Sequence, residues 1–256
     1  MKLSIITVCL NSAATINTCI KSVLALDSKD YEYIIIDGLS TDKTVHIASK
    51  YIESFKRKGV PYTIISEHDT GIYNAMNKAI NIAKGKWIIY MNSDDVFYSV
   101  YSINSFIGNN YEDYDVVYGD VVIKNNNQFI FRKAKDITIL KTGIEMPFCH
   151  QSTYTKRAVL EKYMFDEDYS IIADMEMYLR IYEQGGKFIH INEYISVFSN
   201  EGLSQTNRIR SLSEGKRMLQ KHNLLNMKRR TRINIYFIYY CIKAVAKYIK
   251  QRVYNC

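Results

Sequence analysis

The stretch "GKWIIYMNSDD", residues 85–95, decides how the chain is read. An apolar run from Trp87 to Met91 ends abruptly in Asn92, Ser93, Asp94 and Asp95. Adjacent carboxylates repel, and taking them out of water costs several kcal/mol unless a cation compensates. A buried strand that delivers two of them at its end is therefore either an acidic turn or a place for a cation. Hard oxygen donors of this kind suit Mg²⁺ or Mn²⁺, and Mg²⁺ usually takes one or two carboxylates together with substrate phosphates.

Outward from this strand the elements alternate. "LSIITVCL" (3–10), "YEYIIIDG" (31–38) and "YTIISE" (62–67) read as further strands of a buried parallel sheet. Residues 12–26 place Ile16, Ile20, Val23 and Leu24 on one helix face. "STDKTVHIASKYIESF" predicts a second helix capped by Ser40 or Thr41, and "GIYNAMNKAINIAKG" (71–85) a third, ended by Gly85 as a C′ residue. Such alternation implies right-handed crossovers, with ligands beyond the carboxyl ends of the strands. Four polar clusters lie at those ends: Asn11, Asp37, Glu67 with Asp69, and Asn92 to Asp95. They are expected to converge on one crevice.

Past residue 96 the pattern changes. "YDVVYGDVVI" and "QFIFRKA" alternate like antiparallel strands about an Asn-rich turn at 125–127. The loop "MPFCHQST" leads into a short helix. "IIADMEMYLRIYEQGG" predicts another, with an apolar face at Met175, Tyr178, Leu179 and Tyr182 and a stop at Gly185–Gly186. "KFIHINEYISVFS" returns to strand. The expected fold class is α/β, a sheet mostly parallel with a smaller antiparallel part, followed by C-terminal basic helices.

At 256 residues with two prolines and no Gly/Ser-rich run, nothing reads as a flexible linker. Five scattered cysteines show no CxxC spacing, which argues against a zinc knuckle or a disulfide framework and for a reducing, cytoplasmic setting. The first residues read as a strand, the apolar run being short for a signal peptide. Residues 201–256 hold 13 Lys/Arg against 2 acids, whereas residues 1–200 hold 21 against 24, so the net charge of +8 belongs to the tail.

No G-x-G-x-x-G and no G-x-x-x-x-G-K-[ST] occurs, which removes the dinucleotide and P-loop readings. Instead, the ordered set "SIITVCLN", "IIIDGLSTDKT", "SEHDTGIYNAMNKAI", "GKWIIYMNSDD", "HQST" and "ADMEMYLRI" resembles the family-2 glycosyltransferases, more narrowly their bacterial surface-polysaccharide members, over roughly residues 3–200. The resemblance implies a GT-A type, Rossmann-like fold. It implies a nucleotide-diphosphate sugar donor (a UDP-sugar favoured), a divalent Mn²⁺ or Mg²⁺ cofactor, and inversion at the anomeric carbon. Carried over, it sets the backbone around Val8 and Leu10 against the nucleobase, Asp37 on base or ribose, and Glu67 and Asp69 at the border of that pocket. Asp94 faces the ribose, Asp95 holds the metal, and Asn92 contributes at most a weak amide ligand. Asp174 matches the acid at the family's helix start and is the expected general base; Glu176, about 200° further round a helix, cannot face the same crevice. His150 and Gln151 are candidates for acceptor or phosphate contact, and Tyr73, in the first turn beside the acidic cluster, for donor contact. Three departures stand out: Asn92 where the acidic signature often begins with Asp, Gly38 where a second Asp is common, and Met76 in place of the usual Arg.

The organisation expected is residues 1–95 as the nucleotide-sugar half, 96–205 as the acceptor half, and 206–256 as a basic amphipathic helical tail. Residues 232–254 are too polar to span a bilayer. Arg232, Lys243, Lys247 and Lys250 share one helix face and Ile238, Ile242, Val245 and Ile249 another, the pattern of a helix lying on an anionic membrane surface. Packing on the domain or against a second subunit, as in a homodimer, is the alternative. The expected activity is transfer of a sugar to a saccharide or lipid-linked acceptor, peripheral at the inner face of the cell membrane. Alternatives are a glycoside hydrolase built on paired carboxylates and a non-catalytic nucleotide-sugar-binding module of the same fold. Nucleic-acid binding is not expected, since the sheet region offers no aromatic-plus-basic surface.

Overall fold

Near-continuous apolar strands must be covered on both faces, and three of the first four strands are, the edge strand Tyr62–Ser66 staying part-exposed. A computed structural model describes residues 1–125, 128–199 and 207–254, the side chains of 199 and 244–254 excepted. Strands β1 (Leu3–Cys9), β2 (Tyr31–Asp37), β3 (Tyr62–Ser66) and β4 (Trp87–Tyr90) pair in parallel in the order β3-β2-β1-β4. Their side chains alternate between two cores. Ile6, Val8, Ile34, Ile36 and Ile88 enter one, and Leu3, Ile5, Tyr33, Ile35, Trp87 and Ile89 the other. The first core is covered by α4 (Ile72–Ile82), the second by α1 (Ile16–Leu24) and by Phe55 of α3 (Ile52–Lys58). The chain steps outward from β1 to β3 and then recrosses β1 to reach β4. That reversal lies between β1 and β4, and the crevice of such a sheet opens there, beyond the carboxyl ends of those two strands.

The second half extends the same sheet. From β4 the order continues β8 (Thr153–Lys156), β6 (Val116–Asn125), β9 (Phe188–Ser199) and β5 (Val96–Phe97), with β7 (Gln128–Arg132) on β6. Here β4–β8, β8–β6, β6–β7 and β5–β9 are antiparallel, while β6–β9 is parallel. The expected hairpin is thus present, although turn residues 126 and 127 lie outside the described ones. Helix α7 (Ala173–Glu183) buries Met175, Tyr178 and Leu179, and Gly185 follows at φ 79°.

Three expectations are corrected. The helix predicted from Ser40 is two helices, α2 (Thr44–Ser49) and α3, and Asp42 is the residue that accepts from the Thr44 N–H, at 2.9 Å. The break turns the Tyr51 hydroxyl to Asn17 while Phe55 stacks on Tyr62. Gly85 is not a left-handed cap, because α4 ends at Ile82; a Cβ on Gly85 would stand 2.4 Å from the Ser4 nitrogen, so close approach to β1 demands glycine. Nor is all of the C-terminal segment a tail. Its expected boundary at 205/206 lies outside the described residues, but α8 (Arg208–Lys221) buries Leu212, Met218 and Leu219 in the first core. Only α9 (Met227–Tyr254) projects, holding Ile233 in the core and leaving Ile235, Ile238 and Ile242 about 60% exposed. The expected apolar positions Val245 and Ile249, and Lys247 and Lys250, fall among side chains outside the description. No helix among the described residues is long and apolar enough to cross a membrane.

Candidate active site

At the reversal point the strand β4 runs on one residue, Met91 donating to the Ile6 carbonyl, and then turns through Asn92 to Asp95. The turn separates the two carboxylates that the sequence sets side by side. Asp94 is exposed and Asp95 is 1% exposed. A buried carboxylate needs partners, and the Asp95 Oδ2 receives the Gln151 amide Nε2 at 2.6 Å. Gln151 is itself 1% exposed, and its Oε1 accepts the Cys149 thiol at 2.6 Å. Burial pushes the Cys149 thiol up to about 12, so it stays protonated and donates, which fixes the amide with its NH₂ towards Asp95.

The opposite wall is the start of α7. Asp174 Oδ1 accepts from the Met175 N–H at 2.9 Å, and the Tyr73 hydroxyl oxygen lies 3.3 Å away. Its Oδ2 faces His150 Nδ1 at 3.1 Å, and His150 Nε2 faces the Asn92 amide Nδ2 at 3.3 Å. One neutral tautomer satisfies both: Nδ1–H donates to Asp174 and Nε2 accepts from Asn92. His150 thus ties the two walls together. Tyr73 is an anchor as well, its hydroxyl donating to the Ile171 carbonyl at 2.7 Å. Glu176, two residues beyond Asp174, points away and is fully buried. Burial alone would raise its carboxyl, but hydrogen bonds from His222 and Arg180 outweigh that and hold it below the ordinary range.

A cleft of about 690 Å³ lies between these walls. Val8, Leu10, Asp69, Tyr73, Asn92, Asp94 and Asp95 line it from the first half, and His150, Gln151 and Asp174 from the second. Asp37 and Glu67 do not, against the expectation of a shared crevice. Asp37 is fully buried, with Oδ2 accepting from Ser66 Oγ at 2.6 Å and from the Ser40 N–H at 3.0 Å, so it knits the ends of β2 and β3 together. Glu67 turns outward to an ion pair with Lys78 at 3.0 Å. Glycine at 38 has a physical counterpart: a Cβ there would stand 2.8 Å from Asp69 Oδ2, so Asp69 occupies the space a side chain would need.

Four contributors carry no local signature and were not singled out from sequence. Arg132 from β7 and Arg208 from α8 line the cleft. Cys149 sets the Gln151 amide. Glu214 of α8 takes the Ser170 hydroxyl at 2.7 Å and the backbone N–H groups of Ser170, Ile171 and Ile172, shaping the loop that carries Asp174. Glu214 depends on partners more than 40 residues away, Arg208 on packing of the C-terminal helices, and the only hint in the sequence was an acid in a basic segment.

The donor set suits a hard divalent cation. Asp94 and Asp95 are joined by Asn92 Oδ1, a buried oxygen without a hydrogen-bond partner, and an orphaned buried acceptor is the kind of atom a cation would satisfy. No cluster of three or more His, Cys, Asp or Glu occurs among the described residues. A cation here would therefore need ligand oxygens as well.

Comparison with known proteins finds relatives in sequence and in fold. The family model described as Glycosyl transferase family 2 matches residues 4–182. A PGL/p-HBAD biosynthesis glycosyltransferase of Mycobacterium bovis is 29% identical over 209 residues, 79% of each chain. Among solved structures, S. aureus TarS 1-349 in complex with UDP-GlcNAc superposes with a TM-score of 0.67 at 17% identity, covering 93% of this chain and 72% of that one. A mannosyltransferase from Pyrobaculum calidifontis in complex with GDP-Man and Mn2+ gives a TM-score of 0.67 at 18% identity, covering 88% and 65%. At such identities the likeness is one of fold.

Proposed function

The chain belongs to glycosyl transferase family 2, and from that premise we propose that it is an inverting, divalent-metal-dependent glycosyltransferase. The donor is a nucleotide-diphosphate sugar, a UDP-sugar favoured, and the acceptor a saccharide or lipid-linked saccharide in cell-surface polysaccharide assembly. The observation that carries the reading is the opposition of Asp95 and Asp174 across one cleft.

Val8, Leu10 and Asp69 border the nucleoside, and Asp94 faces the ribose. Asp37 acts from beneath, ordering the strand ends. Asp95, with Asn92 Oδ1, would hold Mg²⁺ or Mn²⁺, which would supply neutralisation of the charge on the departing diphosphate. Gln151 orients the Asp95 carboxylate, as partners of a ligating carboxylate do. Asp174 takes the proton of the acceptor hydroxyl while that oxygen attacks the anomeric carbon from the face opposite the leaving group. The Met175 N–H and His150 occupy two of the roughly four acceptor positions of its carboxylate. The remaining positions are open to the incoming hydroxyl. His150 and Tyr73 keep the carboxylate turned towards the cleft.

Helix α9 supports attachment at an anionic membrane surface, on the cytoplasmic side. With Ile233 buried, the opposite side of the helix carries Ile235, Ile238, Tyr239 and Ile242, all more than half exposed, and Arg232 and Lys243 flank them. The test of the activity is product stereochemistry. Incubation with an α-linked UDP-sugar and Mn²⁺ is expected to give a β-linked product and none after chelation. A retained α-linkage, or transfer unaffected by chelator, contradicts the reading.

A further inference from the structure

Between the two walls runs a chain of polar contacts in which each link fixes the direction of the next. An ionised carboxylate only accepts hydrogen bonds. The imidazole atom facing Asp174 Oδ2 at 3.1 Å, His150 Nδ1, therefore carries a proton. In the neutral ring Nε2 is then a lone pair, and at 3.3 Å from the Asn92 amide it can face only the NH₂ group. That leaves Asn92 Oδ1, the buried oxygen without a hydrogen-bond partner, as the atom offered to a cation.

Reversing one link breaks the next. Were the amide turned over, its N–H donors would stand where a cation needs an oxygen, and its oxygen would meet the Nε2 lone pair. A carboxylate at 92 could donate nothing to Nε2. Asparagine, a departure when set beside an acidic signature, is thus the residue type that a neutral His150 requires there. The same short turn, His150–Ser152, supplies Gln151, whose amide is fixed by Cys149 and donates to Asp95 at 2.6 Å. Two consecutive side chains therefore orient both oxygen donors that follow β4, and His150 also reaches the opposite wall.

We propose that His150 is a positioning residue for both halves of the reaction. Its Nε2 selects the orientation of Asn92 that presents oxygen to the divalent ion, and its Nδ1–H holds Asp174 for the acceptor's proton. Ion affinity and proton acceptance thus pass through one imidazole. The inference rests on the glycosyltransferase reading of the cleft and deepens it. Both ring nitrogens are engaged by these neighbours, which leaves neither for the acceptor or phosphate contact expected from the sequence.

Two conservative variants of the full chain separate the two tasks. An Asn amide falls near the place of Nδ1 and a Gln amide near that of Nε2. His150→Asn therefore keeps the contact to Asp174 and drops Asn92, whereas His150→Gln does the reverse. Mn²⁺ affinity in the presence of UDP, read from the electron paramagnetic resonance of the free ion, should weaken about tenfold in His150→Asn, as for a lost orienting partner, and less than about threefold in His150→Gln. The order should invert for turnover: at saturating Mn²⁺, kcat should fall about tenfold in His150→Gln and by less in His150→Asn. Equal losses in the two variants, the mark of a merely structural histidine, or no loss in either, overturn the proposal. Long-range ¹H–¹⁵N correlation spectra of histidine-labelled protein at about pH 8, above the usual imidazole range, place the proton directly. An Nδ1–H pattern is expected for His150, identified by its disappearance in the variants, and an Nε2–H pattern overturns the chain. Should Mn²⁺ bind no more tightly with UDP than without it, the donor reading fails, and the spectra, recorded without ion or nucleotide, still decide the tie.

Discussion

The two walls of the cleft are built by different logic. On the wall proposed for the donor, Val8, Asn92 and Asp95 are placed by the ends of β1 and β4, whose register is fixed by a run of parallel pairs. On the wall proposed for the acceptor, Asp174 sits in the first turn of α7 and is held by Tyr73 from α4, His150 from a short 3-10 turn and, through residues 170–172, Glu214 from α8. A strand end is positioned by the sheet it belongs to. A helix start must be positioned by side chains from elsewhere, and here these come from three separate segments. The first wall is therefore expected to fail abruptly when its single key carboxylate is removed, and the second to degrade by steps.

The largest effect is expected on the donor wall. Asp95→Ala should reduce transfer by about 10³-fold or more, the rate equivalent of roughly 4 kcal/mol, and abolish the Mn²⁺-dependent rise in melting temperature on adding donor. Next, Asp174→Asn should lower kcat by about 10²- to 10³-fold, within the range of lost general-base catalysis, with donor affinity retained in calorimetry. A variant that keeps near-normal kcat would break the contrast between a binding wall and a proton-accepting wall. Gln151→Leu should cost about 10- to 100-fold in metal affinity, as the loss of an orienting partner does, without altering the pH dependence of kcat.

How much of this was legible beforehand follows the same division. The strands and their polar ends could be read because an apolar run closed by Asn or Asp is a local pattern, and it placed Asn92 to Asp95 at a strand end, where they line the cleft. Asp37 and Glu67 share that pattern but not its outcome. Whether a carboxylate at a strand end looks into the crevice depends on Ser40, Ser66 and Lys78, which only the folded chain brings near. Periodicity also showed that only one of Asp174 and Glu176 can face the cleft, and the family resemblance chose Asp174. It could not reveal that Glu214, in a segment distinguished by basic charge, would pack under the loop before α7, nor that Cys149 would orient Gln151.

The smallest predicted effect sharpens the link between the walls and the C-terminal helices. His222 stands between Glu176 at 3.3 Å and Glu183 at 2.7 Å, and the hydrogen bond to Glu176, ahead of that to Glu183, raises its pKa above the usual 6.5 despite partial burial. A group whose pKa is raised on folding stabilises the fold fully below its unfolded value and loses that contribution as pH climbs through its folded value. His222→Gln should thus lower the melting temperature by a few degrees at pH 6, roughly what 1–2 kcal/mol does in a chain of this size. The difference from wild type should shrink above the raised pKa. Equal differences at pH 6 and pH 9 would show that this histidine does not secure α8 by its charge.

The central claim is that Asp95 fixes a divalent ion against the donor diphosphate at the ends of β1 and β4. Anomalous diffraction at the manganese edge, from crystals grown with UDP and Mn²⁺, tests it most directly. A single peak within ligand distance of Asp95, bridged to the diphosphate and lost in Asp95→Ala, is the predicted result. UDP bound in the cleft with no peak beside Asp95 would contradict it.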